Sequence, residues 1–196
     1  MKEEKKTKSA LEFYKGGKTI KGAATSFTVA SKKSTIFVNI IKQTGYNEQT
    51  HRGVYQGGIQ HSIALGAHEC AAIINTIESN EPYETVHPSE KYTSTIKFEK
   101  YEKDGKQLGF GLKIFRSEKG NETKENFLIG FSFQEAVLLR EWLRFALEKI
   151  FSAWYAEAKI QATEYQNKQE AKAAAPVQAA TPTPEPAKEA EENLEL

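Results

Sequence analysis

Lysines recur at every third position in Lys15-Gly-Gly-Lys18-Thr-Ile-Lys21-Gly22, set among glycines that keep the chain lean. Ammonium groups at that spacing break no bonds; their natural partner is a row of phosphates, whose counterions they displace. Further cations (Lys32, Lys33, Arg52, Lys97, Lys100, Lys113, Arg116) fall in or beside segments that carry rings, namely Tyr14, Tyr46, Tyr55, Tyr92, Phe98, Phe110 and Phe115. A base stacked on an aromatic face gains roughly 1–3 kcal/mol. Cations for the backbone and rings for the bases are the two additive terms that hold an unpaired polyanion. The candidate binding residues are therefore Tyr14, Lys15, Lys18, Lys21, Lys32, Lys33, Arg52, Tyr55, Tyr92, Lys97, Lys100, Lys113, Phe115 and Arg116. Half of the side chains in a sheet covered on one face point into the core, so some of these rings serve packing alone. Gly16, Gly17 and Gly22 either bring backbone amides to phosphate or simply shape a turn.

Other chemistries fail on spacing. Gly17-Lys18-Thr19 has the ending of a P-loop, but the required earlier glycine falls at Glu12 and no strong helix follows. Gly109-Phe110-Gly111 lies inside a strand pattern, which removes a dinucleotide fingerprint. His61, His68, Glu69 and Cys70 are metal-binding types, yet zinc wants three or four convergent ligands and these are divided between a strand and a helix start. No nucleophile stands beside a base with an orienting third group. The expectation is a non-enzyme with no metal and no cofactor.

The elements that position these residues repeat. Residues 55–78 read as a strand running into a helix, and so do residues 125–147. At an offset of 66, Leu65 meets Phe131, Glu69 meets Glu135, Ala72 meets Leu138 and Ile73 meets Leu139. Two copies are too few for a solenoid. The reading is a pseudo-symmetric α+β domain of two antiparallel sheets, each backed by a helix, with pseudo-repeats at about 10–80 and 90–160.

Strands are expected at Ala10–Tyr14, Ala24–Ser31, Ser34–Lys42, Tyr55–Leu65, Lys91–Tyr101, Leu108–Arg116 and Glu125–Phe131. Lys32-Lys33 marks a turn, residues 45–53 a polar loop, and residues 80–88 a loop with a short extended piece. Gly57-Gly58 inside a strand signals a bulge or a close backbone approach. Asp104-Gly105 supplies the positive φ angles of a type I′ hairpin. The first helix spans about 67–78, with Cys70, Ile73, Ile74 and Ile77 along one side. The second opens on Ser132-Phe-Gln-Glu135, a capping box in which serine and glutamate satisfy each other's end-of-helix amides, and continues at least to Ala158. Its apolar residues occupy more than one face, which points to self-association through Leu138, Trp142, Phe145 and Ile150.

With 196 residues, 39% of them hydrophobic and 27% charged, the chain suits one globular body with polar ends. The formal charge of +1 hides an asymmetry: from Gln166 onward three lysines face six acids, leaving 24 basic against 20 acidic residues before it. Residues 1–9 read as a disordered charged arm, 10–165 as the folded domain and 166–196 as a disordered Ala/Pro/Glu-rich tail. That acidic tail is a solvated terminus, or else a contact for replication and repair proteins. One cysteine, no long apolar run and no secretory leader make the cytoplasm, beside exposed nucleic acid, the expected location.

The residues Phe13–Ala24 (FYKGGKTIKGAA), the two strand-to-helix joints and the segment ENFLIGFSFQEAVLLREWLRFALEKIFSAW (125–154) together resemble the whirly family of single-stranded nucleic-acid-binding proteins. The similarity covers roughly Phe13–Trp154, with two extra residues inside the lysine-glycine motif. The resemblance implies two four-stranded sheets packed roughly perpendicular and four protomers joined through their helices. It also implies largely sequence-independent binding of single-stranded DNA along the sheets. An RNA-binding or annealing protein on this scaffold, and an oligomeric adaptor, are the competing expectations.

Overall fold

Alternation of apolar and polar residues lays down ten strands among the described residues, and two helices, one capped by a glycine and one by a serine, each follow a set of them. The structure, a computed structural model, describes residues 10–30, 35–120 and 124–174. The arm 1–9, Lys32, Lys33 and the acidic end beyond residue 174 lie outside the described residues. The chain divides into two units, Met1–Ala156 and Glu157–Leu196.

The first half runs β1 (Ala10–Lys15), β2 (Ala23–Ala30), β3 (Thr35–Lys42), the short strands β4 (Gly45–Asn47) and β5 (Arg52–Val54), β6 (Gln60–Leu65) and α1 (Ala67–Ser79). The second runs β7 (Tyr83–Pro88), β8 (Tyr92–Lys103), β9 (Lys106–Glu118), β10 (Lys124–Ser132) and α2 (Phe133–Ala174). Two four-stranded antiparallel sheets result, in the orders β1-β2-β3-β6 and β10-β9-β8-β7, each followed in sequence by a helix. The expected fold class and its doubled sheet-then-helix order are what the structure shows. Asp104 and Gly105 adopt φ of 53° and 73°, the left-handed pair that closes the β8–β9 hairpin.

One core joins the two sheets. The inward rows contribute Phe27, Ile36, Val38, Ile40 and Leu65 from the first sheet and Ile96, Phe98, Leu112, Ile114 and Phe131 from the second. Phe13 meets Phe131 edge to face at 4.9 Å between centroids, a contact from the edge strand of one sheet to that of the other. From α2 come Ala136, Leu139, Leu143, Ala146 and Ile150, spaced three and four apart along one stripe. Each fully buried large side chain contributes about 1.5–3 kcal/mol.

Four expectations are corrected. The strand expected at 55–65 begins only at Gln60, because Gly57 turns at φ +73° and Gly58 fits so closely that a Cβ would lie 2.2 Å from the Lys42 carbonyl oxygen. The polar loop 45–53 holds the hairpin β4–β5. Residues 80–88 contain a six-residue edge strand ending at Pro88, where a missing N–H costs no ladder bond. Helix α2 runs to Ala174, past the tail boundary set by composition, and in the second unit its described side chains are exposed.

Candidate nucleic-acid interface

Each sheet has one covered and one open face, and cross-strand register fixes what the open faces present. On the first sheet three rungs cross β1, β2, β3 and β6: Ala10–Thr28–Phe37–Ala64, Glu12–Ser26–Asn39–Ser62 and Tyr14–Ala24–Ile41–Gln60. The middle rung is hydrogen-bonded across strands, Ser62 Oγ donating to Asn39 Oδ1 and Asn39 Nδ2 donating to Ser26 Oγ at 3.4 Å. No lysine or arginine occupies these rungs. On the second sheet the open rungs are Glu84–Lys97–Lys113–Leu128 and Val86–Thr95–Phe115–Asn126. Tyr101 lies across Gly111 and Gly130, where an added Cβ would come within 3.8 and 3.7 Å of its side chain.

The lysine-glycine loop between β1 and β2 is built on Gln43, which is buried. Its Oε1 accepts from the amides of Gly17 (3.0 Å) and Gly22 (3.2 Å), and its Nε2 donates to the carbonyls of Gly17 (2.8 Å) and Gly45 (2.6 Å). The Gly17 and Gly22 amides therefore have an internal partner and shape the loop. Gly16 serves close approach: a Cβ there would lie 2.8 Å from the Gly53 Cα. That contact brings the loop against β5 and opens a cleft of about 490 Å³ lined by Tyr14, Gly16, His51, Arg52, Gly53 and Tyr55. The Tyr14 and Tyr55 rings stand 5.8 Å apart at 59°, and Tyr14 is 63% exposed. The Tyr14 hydroxyl donates to Glu12 at 2.7 Å, which with burial and the Glu12 charge raises its pKa. Burial likewise raises that of Tyr55.

The candidate residues divide into three groups. Tyr14, Tyr55 and Arg52 line this cleft and Lys18 and Lys21 stand on the loop beside it, Lys18 lying 3.3 Å from Glu48 and over the Tyr46 ring at 5.9 Å, and Lys21 lining a separate hollow with Tyr101 and Leu128. Lys97, Lys113 and Phe115 share the open face of the second sheet, where Lys97 pairs with Glu84 at 2.8 Å and Lys113 pairs with Glu99. The Glu84 hydrogen bond, outweighing desolvation, raises the Lys97 pKa. Lys100 is exposed and continues the inward row of Ile96 and Phe98 beyond the core.

The third group is engaged elsewhere. Lys15 is bound to Glu135 at the start of α2 (2.6 Å). Arg116 lies 3.6 Å over the Tyr92 ring and 3.3 Å from Glu125, in the inward row. Beside it, His61 contacts Ser94 at 3.0 Å and stacks on Phe127, and burial followed by the Arg116 charge pushes its imidazole down. Phe98 and Phe110 are core. Among the residues expected to mediate assembly, Leu138 and Phe145 are about half exposed, Trp142 packs on Phe27 at 6.2 Å between centroids, and Ile150 is buried within its own protomer. Ile150 is thus withdrawn from the assembly surface: its position on the core stripe of α2 buries it. Among the described residues no cluster of metal-ligating side chains occurs. Cys70 is buried and its thiol is pushed up to about 12, first by desolvation and then by Glu69.

Sequence reasoning missed Gln43, whose role depends on a loop folding back over it. It also missed His51, and Tyr101, which the alternation of β8 places on the same face as Lys97.

No family model and no curated protein matches the chain. Solved structures do. MRP1/MRP2 of Trypanosoma bruciei superpose with a TM-score of 0.56 at 14% identity, covering 77% of this chain and 90% of that one. WHY1 from Arabidopsis thaliana gives 0.56 at 15%, covering 79% and 93%. A guide-RNA-binding protein complex bound to a gRNA gives 0.52 at 16%, covering 73% and 92%. The chain is an α+β protein with the Whirly fold.

Proposed function

We propose that this chain binds single-stranded nucleic acid, with DNA as its principal ligand, and protects exposed strands in replication, recombination or repair without catalysing a reaction. The observation that carries the reading is the cleft where the Tyr14 and Tyr55 rings stand beside Arg52, next to a loop presenting Lys18 and Lys21. Rings offer stacking to any base and cations offer attraction to any phosphate, so most of the affinity is independent of sequence. A protein complex of the same fold is bound to a gRNA, which supports a nucleic-acid ligand and makes RNA the natural comparator. Exposed Leu138 and Phe145 on α2 support assembly of copies, a tetramer in this reading, and the acidic end would contact replication or repair proteins. The proposed setting is the cytoplasm, wherever single strands are exposed.

Titration of labelled single-stranded DNA, the matching RNA and the duplex across a salt series tests this. Single-strand affinity should fall linearly with the logarithm of salt, and duplex should bind more weakly. Equal or tighter duplex binding overturns the proposal, and tighter RNA binding reassigns the principal ligand.

A further inference from the structure

A carboxylate, Glu12, stands on the open face of the first sheet, on its edge strand β1 and in the middle of the three rungs, where a surface made only for phosphates would have none. Glu12 shares a second cleft, of about 260 Å³, with Ser26, Asn39 and Gln60 and with the same Tyr14 and Tyr55 that wall the cleft beside Arg52. No lysine or arginine lines this second cleft. Two neighbouring hollows thus share an aromatic wall, one edged by Arg52 and His51, the other by a carboxylate and neutral amides.

The two hollows have opposite preferences. A carboxylate repels phosphate and accepts hydrogen bonds only. Within a strand of DNA, whose internal sugars carry no hydroxyl, it can therefore engage only the part of a nucleotide that carries N–H donors, which is the base. Its Oε2 accepts from the Tyr14 hydroxyl at 2.7 Å, and each carboxylate oxygen can accept more than one hydrogen bond, so acceptor capacity remains on a residue that lines the cleft. Among the bases guanine alone presents two adjacent donors, N1–H and N2–H, on its Watson–Crick edge, matching two carboxylate oxygens. The Gln60 amide, and the N–H of Asn39 Nδ2 not given to Ser26, are donors in the same cleft that could meet the guanine O6 and N7 acceptors. The volume admits one purine ring system.

Resting on the strand-binding reading above, we propose that this cleft is a guanine-selective base site, with Glu12 as the residue that sets the selectivity and the adjacent Arg52 cleft holding the phosphate. It adds a preference at one nucleotide to affinity that is otherwise indifferent to sequence.

The test uses the full chain and a short dT oligomer, about ten nucleotides long, with one central base replaced by guanine, hypoxanthine, adenine or cytosine. Wild-type protein should bind the guanine oligomer about fivefold or more tightly than plain dT, within the range of a bidentate base contact. Hypoxanthine, which lacks the N2 amino group, should lose most of that gain. In Glu12→Gln and Glu12→Ala the ratio of guanine-oligomer to plain-dT affinity should fall to about one, whatever the change in plain dT binding itself; Glu12 is exposed, and two variants guard against a folding defect in either. Equal wild-type binding of all the oligomers, or a guanine preference that survives in both variants, overturns the base site while leaving strand binding intact. Failure to bind any oligomer overturns strand binding itself, and the base site with it.

Discussion

Glu69 and Glu135, 66 positions apart (135 less 69), do the same two things at equivalent places in the two halves. Each accepts the N-cap amide of its own helix at 2.8 Å, from Gly66 and from Ser132. Each also reaches the opening strand of the other half: Glu69 contacts His87 (2.5 Å) and Tyr83 on β7, and Glu135 contacts Lys15 (2.6 Å) on β1. The two ties cross, so each helix start is fastened to the sheet of the other repeat. Lys15 therefore belongs to the frame that positions the loop bearing Lys18 and Lys21.

That assignment predicts an acid-dependent stability. Burial raises the Glu135 carboxyl, but the Lys15 ammonium and then the Ser132 amide and hydroxyl outweigh it, so it ionises below the ordinary 4.5. A group whose pKa is lower when folded stabilises the fold above its unfolded value, and that contribution fades as pH falls through the folded one. Glu135→Gln should be less stable than wild type by about 1 kcal/mol at neutral pH, the worth of a part-exposed ion pair and a weakened cap. Urea unfolding at neutral pH and at a pH of about 3 should show the gap closing. An equal gap at both would mean that the carboxylate charge plays no part.

Gln43 tests whether the loop is preformed. Its side chain satisfies four backbone groups at once, and its removal leaves part-buried amides and carbonyls without that partner at about 1–3 kcal/mol in all. Gln43→Ala should lower stability by about 2 kcal/mol and speed amide exchange at Gly17 and Gly22 ahead of the strands. Single-strand affinity should fall with it. Unchanged exchange at those two amides would contradict the hub role.

The doubled architecture was legible because each half is locally consistent. The alternation of β8, the Asp104-Gly105 hairpin and the Ser132/Glu135 cap all point the same way as the packing. The β4–β5 hairpin was not, since its three-residue strands bury little and carry no apolar alternation. The end of α2 was misread because a segment rich in Ala, Glu, Lys and Gln is both poor in apolar surface and strong in helix propensity. Of the site, residue types were readable and pairings were not. Lys15 meets a partner 120 residues away, and Arg116 sits over Tyr92 only once the β8–β9 register is set. The burial of Ile150 was readable in retrospect, from the row Ala136, Leu139, Leu143, Ala146.

The salt dependence of binding should sort the cations. Removing one phosphate contact lowers the slope of log affinity against log salt by about 0.7 for a single strand. Lys18, Lys21 and Arg52 changed together to alanine should therefore reduce the slope by about 2 while leaving the unfolding midpoint near wild type. Lys97 and Lys113 face Glu84 and Glu99 from part-buried positions, whereas Lys18 meets Glu48 with both side chains exposed to solvent, so the joint replacement of Lys97 and Lys113 should change it less. The reverse order would move the backbone path onto the second sheet.

The helix makes the sharpest contrast between fold and assembly. Ile150 is 1% exposed on the core stripe, so Ile150→Ala should destabilise the protomer by about 3 kcal/mol, as large-to-small core changes do. Leu138 and Phe145, 52% and 45% exposed, add nothing comparable to the protomer core, and apolar surface of that kind is what a second copy would cover. Leu138→Glu with Phe145→Glu should lower the native mass of the particle while the dilute protein keeps its strand content and unfolds cooperatively. Because association stabilises the folded state by mass action, the wild-type midpoint should also rise with protein concentration, and that of the double variant should not. A wild-type particle of monomer mass, or a double variant of unchanged mass, would remove α2 as the assembly surface.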